Sequence, residues 1–167
     1  MPADAATPDP HARPRVLFVD DDVTLLRLFA TALAGHVERV EATSDPRHAL
    51  ELVRERPFDV AVLDVAMPAM SGPELATRMR TIAPTLPVLL FSGSLHDVEP
   101  ATLAALEPCD TLSKPATVRE LLDAIACAAG WLPDDEHAAP LPPELLLGGA
   151  RGGAAVARPA SPLAARD

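Results

Sequence analysis

The stretch RVLFVDDD, residues 15–22, decides the fold. Its first five residues run apolar and β-favouring with no polar alternation, the pattern of a strand buried on both faces of a parallel sheet. Such a strand needs helices above and below it, so the rest of the chain should alternate strand with helix. VTLLRLFATALA (23–34) places Leu25, Leu28, Phe29 and Ala32 on one helical stripe, with Gly35 as the expected C-cap. VERVEAT (37–43) reads as a second strand, and Ser44, Asp45 and Pro46 open a helix that Pro57 closes. FDVAVL (58–63) is a third strand, Gly72, Pro73 and Glu74 start a third helix, and PVLLF (87–91) is a fourth strand. A fourth helix is expected over 97–107 with Pro100 near its start, DTLS (110–113) is a weak fifth strand, and Thr117 with Glu120 forms a capping box opening a helix to about Gly130. Five strand–helix repeats predict an α/β fold: a doubly wound five-stranded parallel sheet joined by right-handed crossovers.

Composition sets the outer limits. At 167 residues the chain has the size of one domain on the ~100–200 residue scale. Four of its 19 prolines fall in residues 1–14 and six in 132–167. Residues 1–14 and 132–167, the latter rich in Ala, Pro and Gly, are therefore expected to be disordered arms around a folded unit at 15–131. PELLL (143–147) is the one stretch of the second arm that could form a short docking helix, although disorder is the preferred reading. The net charge is −10, and residues 15–131 hold 17 acidic and 10 basic side chains. No Lys/Arg cluster offers itself to phosphates, which argues against nucleic acid as a partner. No apolar run reaches the ~18 residues of a membrane helix and no leader pattern stands at the start, so a cytoplasmic protein without membrane contact is expected. Cys109 and Cys127 lack metal-ligand spacing and are read as buried small hydrophobes. The five histidines are scattered and are read as surface residues. Thirteen of the 14 basic residues are arginine, and the exception is Lys114.

In an open parallel sheet, functional residues collect beyond the carboxyl ends of the strands. Asp20, Asp21 and Asp22 follow the first strand, Asp64 the third, Ser92 and Gly93 the fourth, and Lys114 and Pro115 the fifth. Asp20, Asp21 and Asp64 would bring three carboxylates to one sheet edge, where they repel unless a cation intervenes. Mg²⁺ or Mn²⁺ suits that donor set and can bridge to a phosphoryl oxygen. Lys114 adds a compact positive charge, Ser92 a hydroxyl, and Gly93 room for a tetrahedral group. Together these are the parts of a phosphoryl-transfer site in which one aspartate is the nucleophile and becomes an acyl phosphate.

VLFVDDD (16–22), VLDVAMPAMSG (62–72), FSG (91–93) and LSKP (112–115), in that order, resemble the signature of the receiver domain of two-component response regulators. The resemblance covers 15–131 and implies a (βα)5 flavodoxin-like fold that takes a phosphoryl group from a sensor histidine kinase or a phosphotransfer protein. Carried over residue by residue, it implies that Asp64 is the phosphoacceptor. Asp20 and Asp21, with Asp64 and the backbone carbonyl of Ala66, hold the metal; Ser92, Gly93 and Lys114 bind the phosphoryl group, and Pro115 is a cis-proline. It also implies a signalling phosphoprotein, catalysing only its own phosphorylation and dephosphorylation. No helix-turn-helix-sized segment or catalytic motif stands in 132–167, so the expected type is a stand-alone receiver that acts through an unknown protein target or drains phosphoryl groups. The sequence leaves a homodimer open. Thr111 stands three residues before the lysine, where the family usually carries an aromatic switch residue, which puts the usual route from phosphorylation to output in question. Ala66 and Ser94 offer no carboxylate or amide to orient a hydrolytic water, which predicts a long-lived acyl phosphate.

Singly, each of these residues has an ordinary explanation: a helix cap for Asp20–Asp22, turn residues for Asp64, Ser92 and Gly93, a surface charge for Lys114. Their joint order at strand ends is what outweighs those explanations. A degenerate receiver used only for binding is one alternative. Asp20-Asp21-Asp22-Val23-Thr24 also resembles the first motif of haloacid-dehalogenase-type phosphatases, with Asp20 as nucleophile and Asp22 as general acid and base. That reading leaves Asp64 unexplained and lacks a fourth acidic motif. A flavin site is weaker still, since three aspartates would repel its phosphate.

Overall fold

A computed structural model describes residues 12–93, 95–107 and 109–132. The expectations that fall on 1–11, on Ser94 and on 133–167, including PELLL, His11 and His137, lie outside the described residues.

The elements, in order, are β1 (Arg15–Val19), α1 (Val23–Leu33), β2 (Arg39–Thr43), α2 (Pro46–Glu55) and β3 (Val60–Leu63). After them come α3 (Gly72–Ile82), β4 (Val88–Ser92), a 3₁₀ turn (Leu95–Asp97), α4 (Pro100–Ala105), β5 (Cys109–Ser113) and α5 (Val118–Ala129). All strands pair in parallel, in the order β2-β1-β3-β4-β5. The doubly wound five-stranded sheet expected from the apolar runs is therefore the observed fold.

Strand alternation divides the interior into two cores. Val16, Phe18, Val60, Val62, Leu89 and Phe91 point to one face and pack with α1 and α5. Leu17, Val19, Ala61, Leu63, Val88 and Leu90 point to the other and pack with α2 and α3. Period-two alternation with both sets apolar is why these strands read as unbroken hydrophobic runs. Helix starts follow their caps: Asp22 accepts from the amides of Thr24 and Leu25, Asp45 from Arg47, and Ser71 from Glu74. Thr117 and Glu120 complete the capping box, and Gly130 ends α5 at φ 65°, a left-handed position that favours glycine.

Several local expectations are corrected. The buried stripe of α1 is Leu26, Phe29 and Leu33, while Leu28 is 49% exposed. Leucines at 25, 26 and 28 fit two overlapping helical stripes, and packing against β1 selects the one with i, i+3, i+7 spacing. Ala34, in right-handed geometry, caps α1 instead of Gly35, because the amides of His36 and Val37 both turn back to the Leu33 carbonyl. That turn also buries His36, against the expected surface position. The fourth helix shortens to Pro100–Ala105 because Pro100 takes its first turn, leaving 95–97 as a separate 3₁₀ turn. β2 and β3 each begin two residues later than their apolar runs. Cys109 is only half-buried and Cys127 is exposed, since α5 buries Leu121, Leu122 and Ile125 and turns Cys127 away. Arg13 and Pro14, expected in an arm, are tied to the fold: Arg13 donates to the Gly35 carbonyl, and the Pro14 carbonyl accepts from Glu38. Among the described residues, no helix is long and apolar enough to cross a membrane.

The end of the sheet away from the strand-end aspartates is pinned by one ion pair. Arg15 donates from its amide, Nε and Nη2 to the Asp59 carboxylate at 2.7, 2.9 and 2.8 Å. Burial works against the charged Asp59, but the hydrogen bonds and charge of Arg15 outweigh it and hold the carboxyl below its ordinary range. Stability from this pair is therefore complete above about pH 4 and is lost as pH falls through the lowered value in the folded state. Asp59→Asn is expected to lose about 1–2 kcal/mol at pH 7 and progressively less below pH ~4, measured by urea unfolding across that range.

Candidate functional site

The strand order reverses direction between β1 and β3, so the carboxyl ends of these two strands form the switch point of the sheet. Asp20 follows β1 and Asp64 follows β3. Both continue the ladder: the Asp64 amide donates to the Val19 carbonyl at 2.9 Å, and the Asp20 amide to Thr43 at 3.4 Å. Neighbouring strands thus fix the two carboxylates side by side, and burial leaves Asp20 only 1% and Asp64 5% exposed.

Lys114 arrives from the end of β5, where its amide donates to the Ser92 carbonyl at 3.1 Å. Its side chain crosses the end of β4 and its Nζ donates to Asp20 Oδ2 at 2.5 Å and to Asp64 Oδ1 at 2.9 Å. The other carboxylate oxygens are held by backbone: Asp20 Oδ1 accepts from the Asp22 amide, and Asp64 Oδ2 from Ala66. Each carboxylate is thereby oriented from both sides. Burial pushes the Asp20 carboxyl up, more than the hydrogen bond from Lys114 pulls it down. Burial also pulls the Lys114 ammonium down, but its bonds to Asp20 and Asp64 overcome this and hold it above the usual lysine range. Lys114 is thus charged throughout the physiological range.

The other sequence-predicted residues sit around this centre. Asp21 is exposed and follows the buried Asp20 in the chain. Ser92, the last residue of β4, is buried, and Gly93 is exposed, with open space where a Cβ would stand. The Lys114–Pro115 peptide bond is cis. Thr111 is exposed on edge strand β5, paired with Leu90. Asp22 serves as the N-cap of α1, which occupies the carboxylate that a phosphatase reading would need as acid and base.

Asp20 and Asp64 against one ammonium leave the centre one negative charge in excess, with hard oxygens as the donors. That donor set fits a divalent cation of the Mg²⁺ kind. Among the described residues no three His, Cys, Asp or Glu side chains already converge on one point, and the Lys114 ammonium lies between Asp20 and Asp64.

Two contributors escaped the sequence reading. Gly72 opens α3 with its amide on the Val65 carbonyl, and a Cβ there would lie 2.2 Å from the Asp64 carbonyl oxygen. Only glycine lets α3 approach the loop that carries Asp64; the signal was its place just after the Ser71 cap. Phe91 lies under the Lys114 ammonium, 5.2 Å from Nζ to the ring centroid. Strand alternation placed it in the core but could not reveal that a side chain from β5 crosses its ring.

Residues 16–126 match the family model described as the response regulator receiver domain. The chain is similar to the response regulator MprA of Mycolicibacterium vanbaalenii, 34% identical over 110 residues that make up 65% of this chain and 47% of that protein. It is also similar to a protein-glutamate methylesterase/protein-glutamine glutaminase of Rhizobium johnstonii, 36% identical over 61% of this chain and 30% of that protein. The matched region is thus less than half the length of either relative. Among solved structures, the Vibrio cholerae chemotaxis protein CheY4 superposes with a TM-score of 0.64 at 27% identity, over 70% of this chain and 99% of that one.

The tight approach at Gly72 gives a steric prediction. Gly72→Ala is expected to destabilise the fold by about 1–3 kcal/mol, because backbone must give way to the added methyl group. Gly35→Ala, where nothing stands within 4 Å, should change stability by less than about 0.5 kcal/mol. Chemical denaturation of both variants measures the contrast.

Proposed function

The chain belongs to the response regulator receiver domain family, and from that membership we propose that Asp64 accepts a phosphoryl group from a sensor histidine kinase or a phosphotransfer protein. The observation that carries the reading is the Lys114 ammonium within hydrogen-bond reach of both Asp20 and Asp64 at the switch point of the sheet. The working unit is residues 15–131, its setting is the cytoplasm, and its output is contact with another protein or withdrawal of phosphoryl groups from the kinase.

In the transfer, an Asp64 carboxylate oxygen attacks phosphorus. The new P–O bond forms as the P–N bond to the donor imidazole breaks, and the imidazole nitrogen keeps the bonding pair. Lys114 neutralises charge on the phosphoryl oxygens, having been held ready by the two carboxylates. The Ser92 hydroxyl and the open space at Gly93 receive the transferred group. Asp20, Asp21, Asp64 and the Ala66 carbonyl are the groups that would hold Mg²⁺ or Mn²⁺, which supplies Lewis-acid stabilisation of phosphoryl charge. The Ala66 side chain lacks a group to orient water toward the acyl phosphate, which supports slow hydrolysis.

Acetyl phosphate with Mg²⁺ should add about 80 Da to the wild-type chain by intact mass, the mass of one phosphoryl group, and none to Asp64→Ala. Asp20→Ala should slow the reaction strongly. Phosphomonoester turnover that survives Asp64→Ala but not Asp20→Ala would instead support a phosphatase, and neither adduct nor turnover would support a binding module. The adduct should persist for minutes or longer; decay within seconds contradicts the slow-hydrolysis reading.

Replacement of the single lysine tests its compactness. Lys114→Arg should lower the phosphorylation rate by on the order of tenfold or more, because a planar fork cannot reproduce a point charge between two carboxylates 2.5 and 2.9 Å away. Stopped-flow or quench-flow rates with acetyl phosphate give the comparison.

A further inference from the structure

The Lys114 ammonium has a third neighbour besides the two carboxylates. The ring of Phe91 lies beneath it at 5.2 Å, within the range in which a cation is attracted to an aromatic face. Phe91 is 1% exposed and is itself held by rings: Phe29 meets it edge-on at 5.4 Å and 87°, and Phe18 lies 6.2 Å away. Phe18 and Phe29 are also edge-on, at 6.0 Å, so three of the chain's four phenylalanines form one cluster. The cluster spans β1, α1 and β4, three elements of the core on the α1/α5 face. It fixes the Phe91 ring much more firmly than a solvent-facing aromatic would be fixed.

We infer that Phe91 is a positioning residue for phosphoryl transfer: its ring face holds the Lys114 ammonium at the place where Asp20 and Asp64 reach it. This rests on the receiver reading above. A lysine side chain has four rotatable carbons, and two carboxylates alone leave the remaining side of the ammonium to be solvated. Lys114 is only 21% exposed, so water supplies little of that solvation. The π face replaces it and removes a direction in which the side chain could otherwise swing. Nothing in the strand pattern requires an aromatic at this site, since Leu89 occupies the same face of β4 two residues earlier.

The test separates the ring's electron density from its volume. Mono-, di- and trifluorophenylalanine, introduced only at Phe91, weaken the negative ring face while nearly preserving shape. The rate of phosphorylation by acetyl phosphate should fall stepwise with fluorine number, by about two- to fivefold at trifluoro substitution. Thermal unfolding should stay nearly constant across the series. A flat rate series in a protein that is phosphorylated normally overturns the inference while leaving the receiver reading intact. Because Lys114 is the only lysine, lysine-selective ¹³C labelling yields one Cε signal, which decides the placement even if the wild-type chain takes no phosphoryl group. Its Hε protons should be ring-current shifted upfield in the wild type and return to the ordinary position in Phe91→Leu. An unshifted wild-type signal overturns the inference.

Discussion

Two carboxylates buried side by side are the constraint on which the site depends. Asp20 and Asp64 are almost wholly removed from water, and burying one unpaired charge already costs several kcal/mol. The sheet nonetheless brings them together, because each continues the hydrogen-bond ladder just past the end of its strand. One ammonium, Lys114, answers both. It offsets only part of the charge, one ammonium against two carboxylates. Under the receiver proposal, a divalent cation would relieve that excess, and the phosphoryl group would place its negative charge next to Lys114. In a parallel sheet, this is the position where a charged ligand gains most from fixed backbone and side-chain dipoles.

The fold arranges this with local devices. Asp22 caps α1 and directs its amide back to Asp20, so the residue that begins the helix also orients the buried carboxylate. The Ala66 amide does the same for Asp64. Gly72 allows α3 to start against the Asp64 carbonyl, where any side chain would collide with the backbone. At the far end of β1 and β3, the Arg15–Asp59 pair fixes the relation between the two strands that bear the carboxylates. A shift of one residue between those strands would send Asp64 to the wrong face, so register at one end governs geometry at the other.

Much of this was legible in the sequence, and the reasons are physical. Continuous apolar runs such as RVLFV and VAVL can only be strands covered on both sides, so the doubly wound sheet followed from them. The strand-end aspartates, serine and lysine followed from topology, since a parallel sheet collects its strand ends at one edge. Helix phase was less legible: in α1, three leucines permitted two stripes, and contact with β1, not periodicity, chose between them. The end of α1 was misread because Gly35 signals a left-handed cap, whereas the carbonyl of Leu33 found two amides without one. Tertiary approach was illegible. The contact of Gly72 with Asp64, and of Phe91 with Lys114, joins residues from elements whose separation no local pattern encodes.

Thr111 shows how these constraints bear on signalling. β5 is an edge strand bonded only to β4, and its side chains are short apart from the partly buried Leu112. A residue of that size has no ring to exchange between buried and exposed positions, so under the receiver proposal a rearrangement at Ser92 would have no large lever on that surface. What remains is backbone and core. The Lys114 amide is bonded to the Ser92 carbonyl, and the Lys114 side chain reaches on to Asp64 and Asp20 past the ends of β3 and β1, so any displacement of the Lys114 backbone is felt at β4 directly. Phe91 carries the contact one residue further inward, to Phe18 and Phe29 beneath α1. In this chain the aromatic side chains are concentrated on the α1 side of the site instead of on β5. The packing therefore makes α1, more than the β5 surface, the element mechanically nearest to Lys114 and its two carboxylates.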